Sequence, residues 1–249
     1  MNQRYGWKPD SPDTRDHLYA VSPAISLPLS VDLRPQCPPI YDQGQLGSCT
    51  ANAIAGMLEF DQIRQVEHSF VPSRLFIYYN ERAKEGTVNE DAGAMIRDGV
   101  KVVAKQGYCD ELGWSYDISR FAVKPPAFCY AYALKFKALS YQRIQVHNLH
   151  AMKACLALSF PFVFGFLVYE SFESNEVAST GVMPMPQSGE QILGGHAVMA
   201  CGYDDARQAL LVRNSWGIDW GLAGYFWMPY AYLTASKLTD DFWTIRSVS

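Results

Sequence analysis

The chain is poor in charge. Only 18% of its 249 residues are Asp, Glu, Lys or Arg, the net charge is −4, and no run of Lys or Arg exceeds two. A nucleic-acid or anionic membrane partner would call for a concentrated basic face, and none is present. No stretch approaches the ~18 consecutive apolar residues of a membrane-spanning helix. The opening MNQRYGWKPDSPDTRDHLYA has no apolar core behind its basic residues, so it is not a secretory signal peptide. That leaves a protein retained in the cell, one exported by a leaderless route, or a trimmed chain. Six cysteines (Cys37, Cys49, Cys109, Cys129, Cys155, Cys201) form no C-x-x-C pair and imply no disulfide framework in a chain this long. Cys155 and Cys201 sit in apolar runs and read as buried free thiols, whereas Cys109 and Cys129 are either bridged or free, and the pairing of Cys37 is also open. His147 and His150 lack a companion cysteine or second histidine pair, so no metal site is expected, and there is no internal repeat.

What is present divides the chain in two. Seven of the 14 prolines fall in the first 40 residues, which rules out a helix or central strand there. Residues 1–29 are therefore expected to form an extended leader over the surface, with residues 30–249 as the main domain. From Ser48 to about Gln65 the apolar pattern is helical, with Ser48 as the N-cap and almost no polar side chain between Ala53 and Leu58. SRLFIYYNER (73–82) and AMIRDGVKVVAK (94–105), closed by Gly107, predict two more helices. Later stretches change character: FPFVFGFLV (160–168), HAVMACGYDD (196–205), ALLVRNSWG (209–217) and GYFWMPY (224–230) read as short strands, with DDARQ as a hairpin loop. The expectation is an α+β protein of two lobes, helical over about 40–130 and sheet over about 131–249. A cleft between lobes is a favoured ligand site.

Three stretches carry chemistry. DQGQLGSCTANAIAG (42–56) sets Cys49 where a polar, glycine-punctuated loop enters a helix; GGHAV sets His196 behind two glycines; VRNSWGIDWG carries Asn214, Trp216 and Trp220. Taken singly, each has a plain structural meaning: a core thiol, a core histidine, a turn asparagine, core tryptophans. Together they match a requirement. A helix N-terminus and a nearby imidazolium lower a thiol pKa. The imidazole then protonates a leaving amine, and an amide oxygen on its other nitrogen fixes its orientation. A glutamine amide beside the cysteine N–H supplies an oxyanion hole worth ~3 kcal/mol per donor.

The same stretches resemble the papain-like (papain and cathepsin) cysteine peptidases. The pattern Gln-Gly-x-x-Gly-Ser-Cys appears as residues 43–49, His-Ala-Val as 196–198, and Asn-Ser-Trp-Gly-x-x-Trp-Gly as 214–221, while SVDLRP (30–35) resembles the start of a mature enzyme. His196 and Asn214 lie 147 and 165 residues after Cys49, somewhat beyond the usual spacing of ~130–150. The resemblance implies a papain-like two-lobed fold with a helical left lobe, an antiparallel β-barrel-like right lobe and the active-site cleft between them. It implies an endopeptidase working through a thioester acyl-enzyme on peptide or protein substrates, with no cofactor. By the same resemblance Cys49 is the nucleophile, His196 the acid/base, Asn214 the orienter and Gln43 the oxyanion donor. Trp216 shields the His–Asn bond, and Gly93, Gly195 and Ala197 line the substrate site, the last two walling a roomy pocket for the second side chain upstream of the cut.

This chain departs from the pattern at Leu46, where the family usually has a disulfide-bonded cysteine, and at Thr50, where it usually has tryptophan. Those changes suit a divergent, bacterial-type branch. The leader is far shorter than the usual helical pro-domain, and it is expected to act as a pro-segment in or near the cleft; the alternative is a strap packed on the sheet lobe. Two other functions stay open: a catalytically silent binding protein on the same fold, and another Cys–His acyl transferase.

Overall fold

A computed structural model describes residues 5–22, 25–65, 69–235 and 237–249; residues 1–4, 23 and 24 of the leader lie outside this description. The helical half is built on α1 (Cys49–Gln65), α2 (Arg74–Glu85) and α3 (Ile96–Lys105), followed by the short α4 (Ala127–Ala133). Every residue of α1 from Cys49 to Gln62 is buried. That explains the small and apolar run from Ala53 to Leu58: the helix is packed all round there and needs no polar stripe. Ser73 caps α2 by accepting from the Phe76 N–H, and Gly86, in the left-handed conformation, ends it.

The remaining elements are β1 (Ser30–Asp32), β2 (Ala138–Arg143), α5 (Leu149–Ala157), β3 (Phe162–Tyr169), α6 (Asn175–Thr180), β4 (Ile192–Asp204), β5 (Ala209–Arg213), β6 (Tyr225–Pro229), α7 (Tyr230–Thr234) and β7 (Thr239–Val248). The strands form one antiparallel sheet in the order β2-β7-β3-β4-β5-β6, with β1 added on β4. β3 and β4 carry runs of fully buried residues, Phe162 to Phe166 and Ala197 to Tyr203, against which α1 lies. The architecture is the two-part α+β arrangement expected.

Several boundaries move for identifiable reasons. α3 begins at Ile96 rather than Ala94, because Ala94 pairs through both its N–H and its C=O with the leader. β5 stops at Arg213, because the next residues leave the sheet to pair with residues 41–43. β2 and β7 have no counterpart among the expected strands.

The leader is extended and much of it is exposed, Leu18 and Leu29 among the exposed residues, but it is anchored at buried points. Trp7, Asp10 and Tyr19 are buried. His17 and Tyr19 bond to both sides of Arg143 on β2, and Leu29 continues into β1 beside β4. A short proline-rich segment can be anchored in this way when its backbone groups find partners on edges already present. No disulfide bridges Cys109 and Cys129, whose thiols are hydrogen-bonding neighbours, and Cys37 likewise meets Cys201 as a free thiol.

Candidate active site

Cys49 is the first residue of α1, so its side chain sits at the positive end of a 17-residue helix. The loop before it is held from the sheet side. Arg213 on β5 donates to the carbonyls of Pro38 (2.7 Å) and Pro39 (2.6 Å). The Gln43 N–H then donates to Ser215 O (2.9 Å) and the Gly217 N–H to Tyr41 O (3.1 Å). The loop bearing Gln43 is thus stitched to the Asn-Ser-Trp-Gly stretch, which is why two motifs so distant in sequence share one wall. The Gln43 carboxamide is fixed at both ends: Nε2 donates to Leu46 O (2.9 Å) and Oε1 accepts from Ser215 Oγ (2.7 Å).

His196 enters on β4. Its Nε2 donates to Asn214 Oδ1 at 2.8 Å, and that oxygen also accepts the Ser215 N–H at 2.8 Å, which fixes the amide orientation. Trp216 stacks on the imidazole with ring centroids 4.8 Å apart at 30°, covering the His–Asn bond. His196 Nδ1 is buried and has no partner among the described atoms. The backbone N–H groups of Ala197, Gly6 and Thr50 favour the charged form of the Cys49 thiol. α1 packs against β4, and the imidazole belongs to the residue before Ala197.

Gly6 in that set belongs to the leader. Its carbonyl accepts the Ala94 N–H (2.7 Å), the Trp7 N–H donates to Gly195 O (2.9 Å), and the Lys8 N–H donates to Ala94 O (3.0 Å). These bonds run the leader parallel to residues 93–95. Gly93, at φ +68°, has its Cα where a Cβ would fall 2.1 Å from Gly6 O. Gly195 likewise leaves room for Trp7, whose carbonyl oxygen a Cβ there would meet at 2.5 Å. Tyr5 lies edge-on to His196 and Trp216. Cys49 and His196 are both fully covered.

That burial governs the charges. Loss of water pushes the Cys49 thiol up to about 12, partly offset by the three N–H donors. It pushes His196 down to about 4 against the opposing pull of Asn214. In this covered state the pair is a neutral thiol and a neutral imidazole.

The positions where the sequence departed from pattern have local partners. Leu46 is buried in the core, and Thr50 Oγ1 donates to the buried carboxyl of Glu81 (2.9 Å). The sequence reading missed Gly6, Trp7, Gly165 and Asp241. Gly165 was open to detection, since a lone glycine in an aromatic strand marks a close approach by another group. A Cβ there would meet the Trp7 indole at 1.9 Å.

A thiol on a helix N-terminus, an amide-held imidazole on the facing sheet and a peptide edge on each side define a cysteine protease of the two-lobed type. The family model for papain family cysteine proteases matches residues 27–241, and the chain belongs to that family. It is a hydrolase of peptide or protein substrates. An uncharacterized peptidase C1-like protein of Acanthamoeba polyphaga mimivirus is 43% identical over 276 residues, covering 100% of this chain and 88% of the relative. The crystal structure of xylellain, a cysteine protease from Xylella fastidiosa, aligns with a TM-score of 0.93 and 43% identity over 100% of this chain and 99% of the other. A cathepsin L-like peptidase of Aedes aegypti is 28% identical over 216 residues, which cover 82% of this chain and 60% of the relative's length.

Proposed function

We propose that the protein is an endopeptidase whose residues 30–249 form the peptidase domain and whose residues 1–29 act as a short pro-segment. In the reaction, the Cys49 thiol passes its proton to His196 Nδ1, and the thiolate attacks the scissile carbonyl carbon. The oxyanion is received by the Cys49 N–H and the Gln43 side-chain amide. The imidazolium, held through Nε2 by Asn214 and shielded by Trp216, gives its proton to the leaving nitrogen as the C–N bond breaks. Water, deprotonated by the same imidazole, then attacks the thioester carbon and releases the acid and Cys49. Gly93, Gly195 and Ala197 pair with or wall the substrate.

The observation that carries this reading is Cys49 at the first residue of α1, its thiolate favoured by the Ala197 backbone N–H, while the adjacent His196 is held by Asn214 at 2.8 Å. The pro-segment reading is supported by the bonds of Gly6, Trp7 and Lys8 to residues 94 and 195, the two expected substrate edges, and by the Gly6 N–H, which favours the charged form of the covered Cys49 thiol. Because the Gly6 carbonyl is taken up by Ala94, it is not offered to the oxyanion donors, and the segment covers the thiol without being a substrate. Hydrolysis of a peptide mixture by the chain with the leader displaced tests the reading. Cys49→Ala and His196→Ala are each expected to abolish it in a folded protein, and persistent hydrolysis in either would overturn it.

A further inference from the structure

Two cysteines that the reaction does not use, Cys37 and Cys201, are brought together by the chain. β1 ends beside β4, where the Leu33 N–H donates to Cys201 O at 2.8 Å. A single turn over Arg34–Gln36 follows, closed by the Cys37 N–H on Arg34 O at 3.0 Å. Arg213 of β5 then grips the next two residues through the carbonyls of Pro38 and Pro39, which holds Cys37 against the sheet. From the sheet side, Cys201 occupies an irregularity in the β4–β5 ladder: Ala200 pairs with Val212 and Gly202 with Leu211, so Cys201 is the extra residue. Such a bulge re-aims a side chain. The Cys201 thiol donates to Leu211 O at 3.6 Å and neighbours the Cys37 thiol.

The two thiols are unequal. Cys201 is fully buried, and loss of water pushes it well up. Cys37 is half-buried and lies below the ordinary thiol range, held there first by Cys201 and then, against the cost of burial, by the Arg213 guanidinium. The other four thiols are buried and pushed up, Cys49 to about 12 and Cys155 to about 11, with Cys109 and Cys129 moved the same way. An accessible thiol with thiolate character, next to a second thiol that can resolve it, is the arrangement that responds to oxidants.

We propose that Cys37 and Cys201 form an oxidant-responsive modification site, at which a hydroperoxide converts the two thiols to a reversible disulfide while Cys49 stays reduced under the leader. The Cys37 thiolate attacks one peroxide oxygen: the S–O bond forms, the O–O bond breaks, and the leaving hydroxide takes up a proton as water. The Cys201 sulfur then attacks the sulfenic sulfur of Cys37. The S–S bond forms, the S–O bond breaks, and the departing hydroxide takes the Cys201 proton as a second water. Two electrons pass from the sulfurs to the peroxide, and a reducing dithiol returns them. The bond ties the segment that leads into the Gln43 loop to the strand that carries His196, and it leaves the nucleophile untouched.

The test is thiol mapping of the full natural chain. An equimolar dose of hydrogen peroxide at neutral pH is followed by capping of the remaining thiols with N-ethylmaleimide in denaturant and mass mapping of a non-reduced digest. We expect a Cys37–Cys201 bridge as the first product, with Cys49, Cys109, Cys129 and Cys155 recovered as capped thiols. Dithiothreitol should restore all six thiols. Cys37→Ala should slow thiol loss by about tenfold or more, since the remaining thiols are the raised ones. Cys201→Ala should halt the reaction at a Cys37 sulfenic acid that dimedone traps. If that buried variant fails to fold, the map of the natural chain and the Cys37→Ala rate decide the matter by themselves. An oxidised Cys49 or a Cys109–Cys129 bridge as the first product would overturn the proposal. So would unslowed thiol loss in Cys37→Ala, or a Cys37 that is oxidised in the natural chain without bridging to Cys201. The readout is thiol chemistry rather than hydrolysis, so the endopeptidase reading stands or falls separately.

Discussion

Gly6 of the leader and Gly47 of the loop before Cys49 meet so closely that a Cβ on Gly6 would lie 1.8 Å from the Gly47 carbonyl oxygen. Both atoms belong to backbone held on either side, so neither has a cheap way to yield. Gly6→Ala should therefore lift the leader from the thiol without touching any residue of the peptidase domain. The expected outcome is a peptidase rate in the full chain raised by tenfold or more, with Trp7→Ala adding to it; an unchanged rate would contradict the restraining role. A rate assay on a mixed peptide pool measures it.

The charge state of the thiol gives a second expectation. With the leader in place Cys49 is pushed up to about 12, so thiolate is scarce at neutral pH. Alkylation of Cys49 by iodoacetamide in the natural chain should be slow at pH 7 and climb as pH rises above 9. In Gly6→Ala/Trp7→Ala the profile should shift by units toward neutral pH, since a solvated thiol gains the helix terminus and His196 as cationic neighbours. Superimposable profiles would contradict this.

His196 titrates the closed state from the acid side. Its value falls from 6.5 to about 4 on burial. A base with a depressed value disfavours the covered state once pH drops below its free value. Leader docking should thus weaken from pH 6.5 down to about 4, by at most ~3 kcal/mol. Hydrogen-exchange protection of the Trp7 and Lys8 amides reports it directly, and the loss should be smaller in His196→Ala. Protection that rises on acidification would contradict the account.

Asn214 is expected to act through its one bond to the imidazole. Asn214→Ala removes a buried hydrogen bond of ~1.5 kcal/mol, so kcat should fall at least tenfold while KM moves little. A fall in KM-dependent binding alone would instead assign Asn214 to the substrate site. Steady-state kinetics in the Gly6→Ala background separates the two.

The second unusual position, Thr50, is tied to a buried acid. Burial raises Glu81 well above its usual value, and its carboxyl is met by the Thr50 hydroxyl. For an acid with a raised value, stability is fully present below the unfolded value of about 4.5 and is lost as pH rises above it. Glu81→Gln should therefore be more stable than the natural chain at pH 7, with the difference vanishing below pH 4.5, as urea unfolding at the two pH values would show.

What could be read in the sequence follows from how far each feature depends on distant partners. Cys49, His196, Asn214 and Gln43 stand out because the chemistry demands particular residue types at a loop–helix junction, a glycine-flanked strand and a turn. The long strands β3 and β4 were legible from their apolar runs. β2 and β7 were not: SYQR and TDDFWTIRS mix charged and aromatic residues, and their ladders carry irregularities, at Ala138–Tyr141 between β2 and β7 and near Asp241 between β3 and β7. The leader's extended form followed from its prolines, but the burial of Trp7, Asp10 and Tyr19 did not. The bond between Trp7 and Asp241 spans 234 positions, and neither residue has any local pattern that implies the other.

The central claim, a Cys49 nucleophile restrained by the chain's own leader, is tested most directly by active-site titration. An irreversible epoxide that alkylates papain-type thiols would be added to the natural chain and to Gly6→Ala/Trp7→Ala, and the modified residue located by peptide mass mapping. The account predicts slow labelling of the natural chain and rapid, stoichiometric labelling of the variant at Cys49 alone, with peptidase activity lost in step. Labelling elsewhere, or no labelling of Cys49 once the leader is displaced, would contradict it.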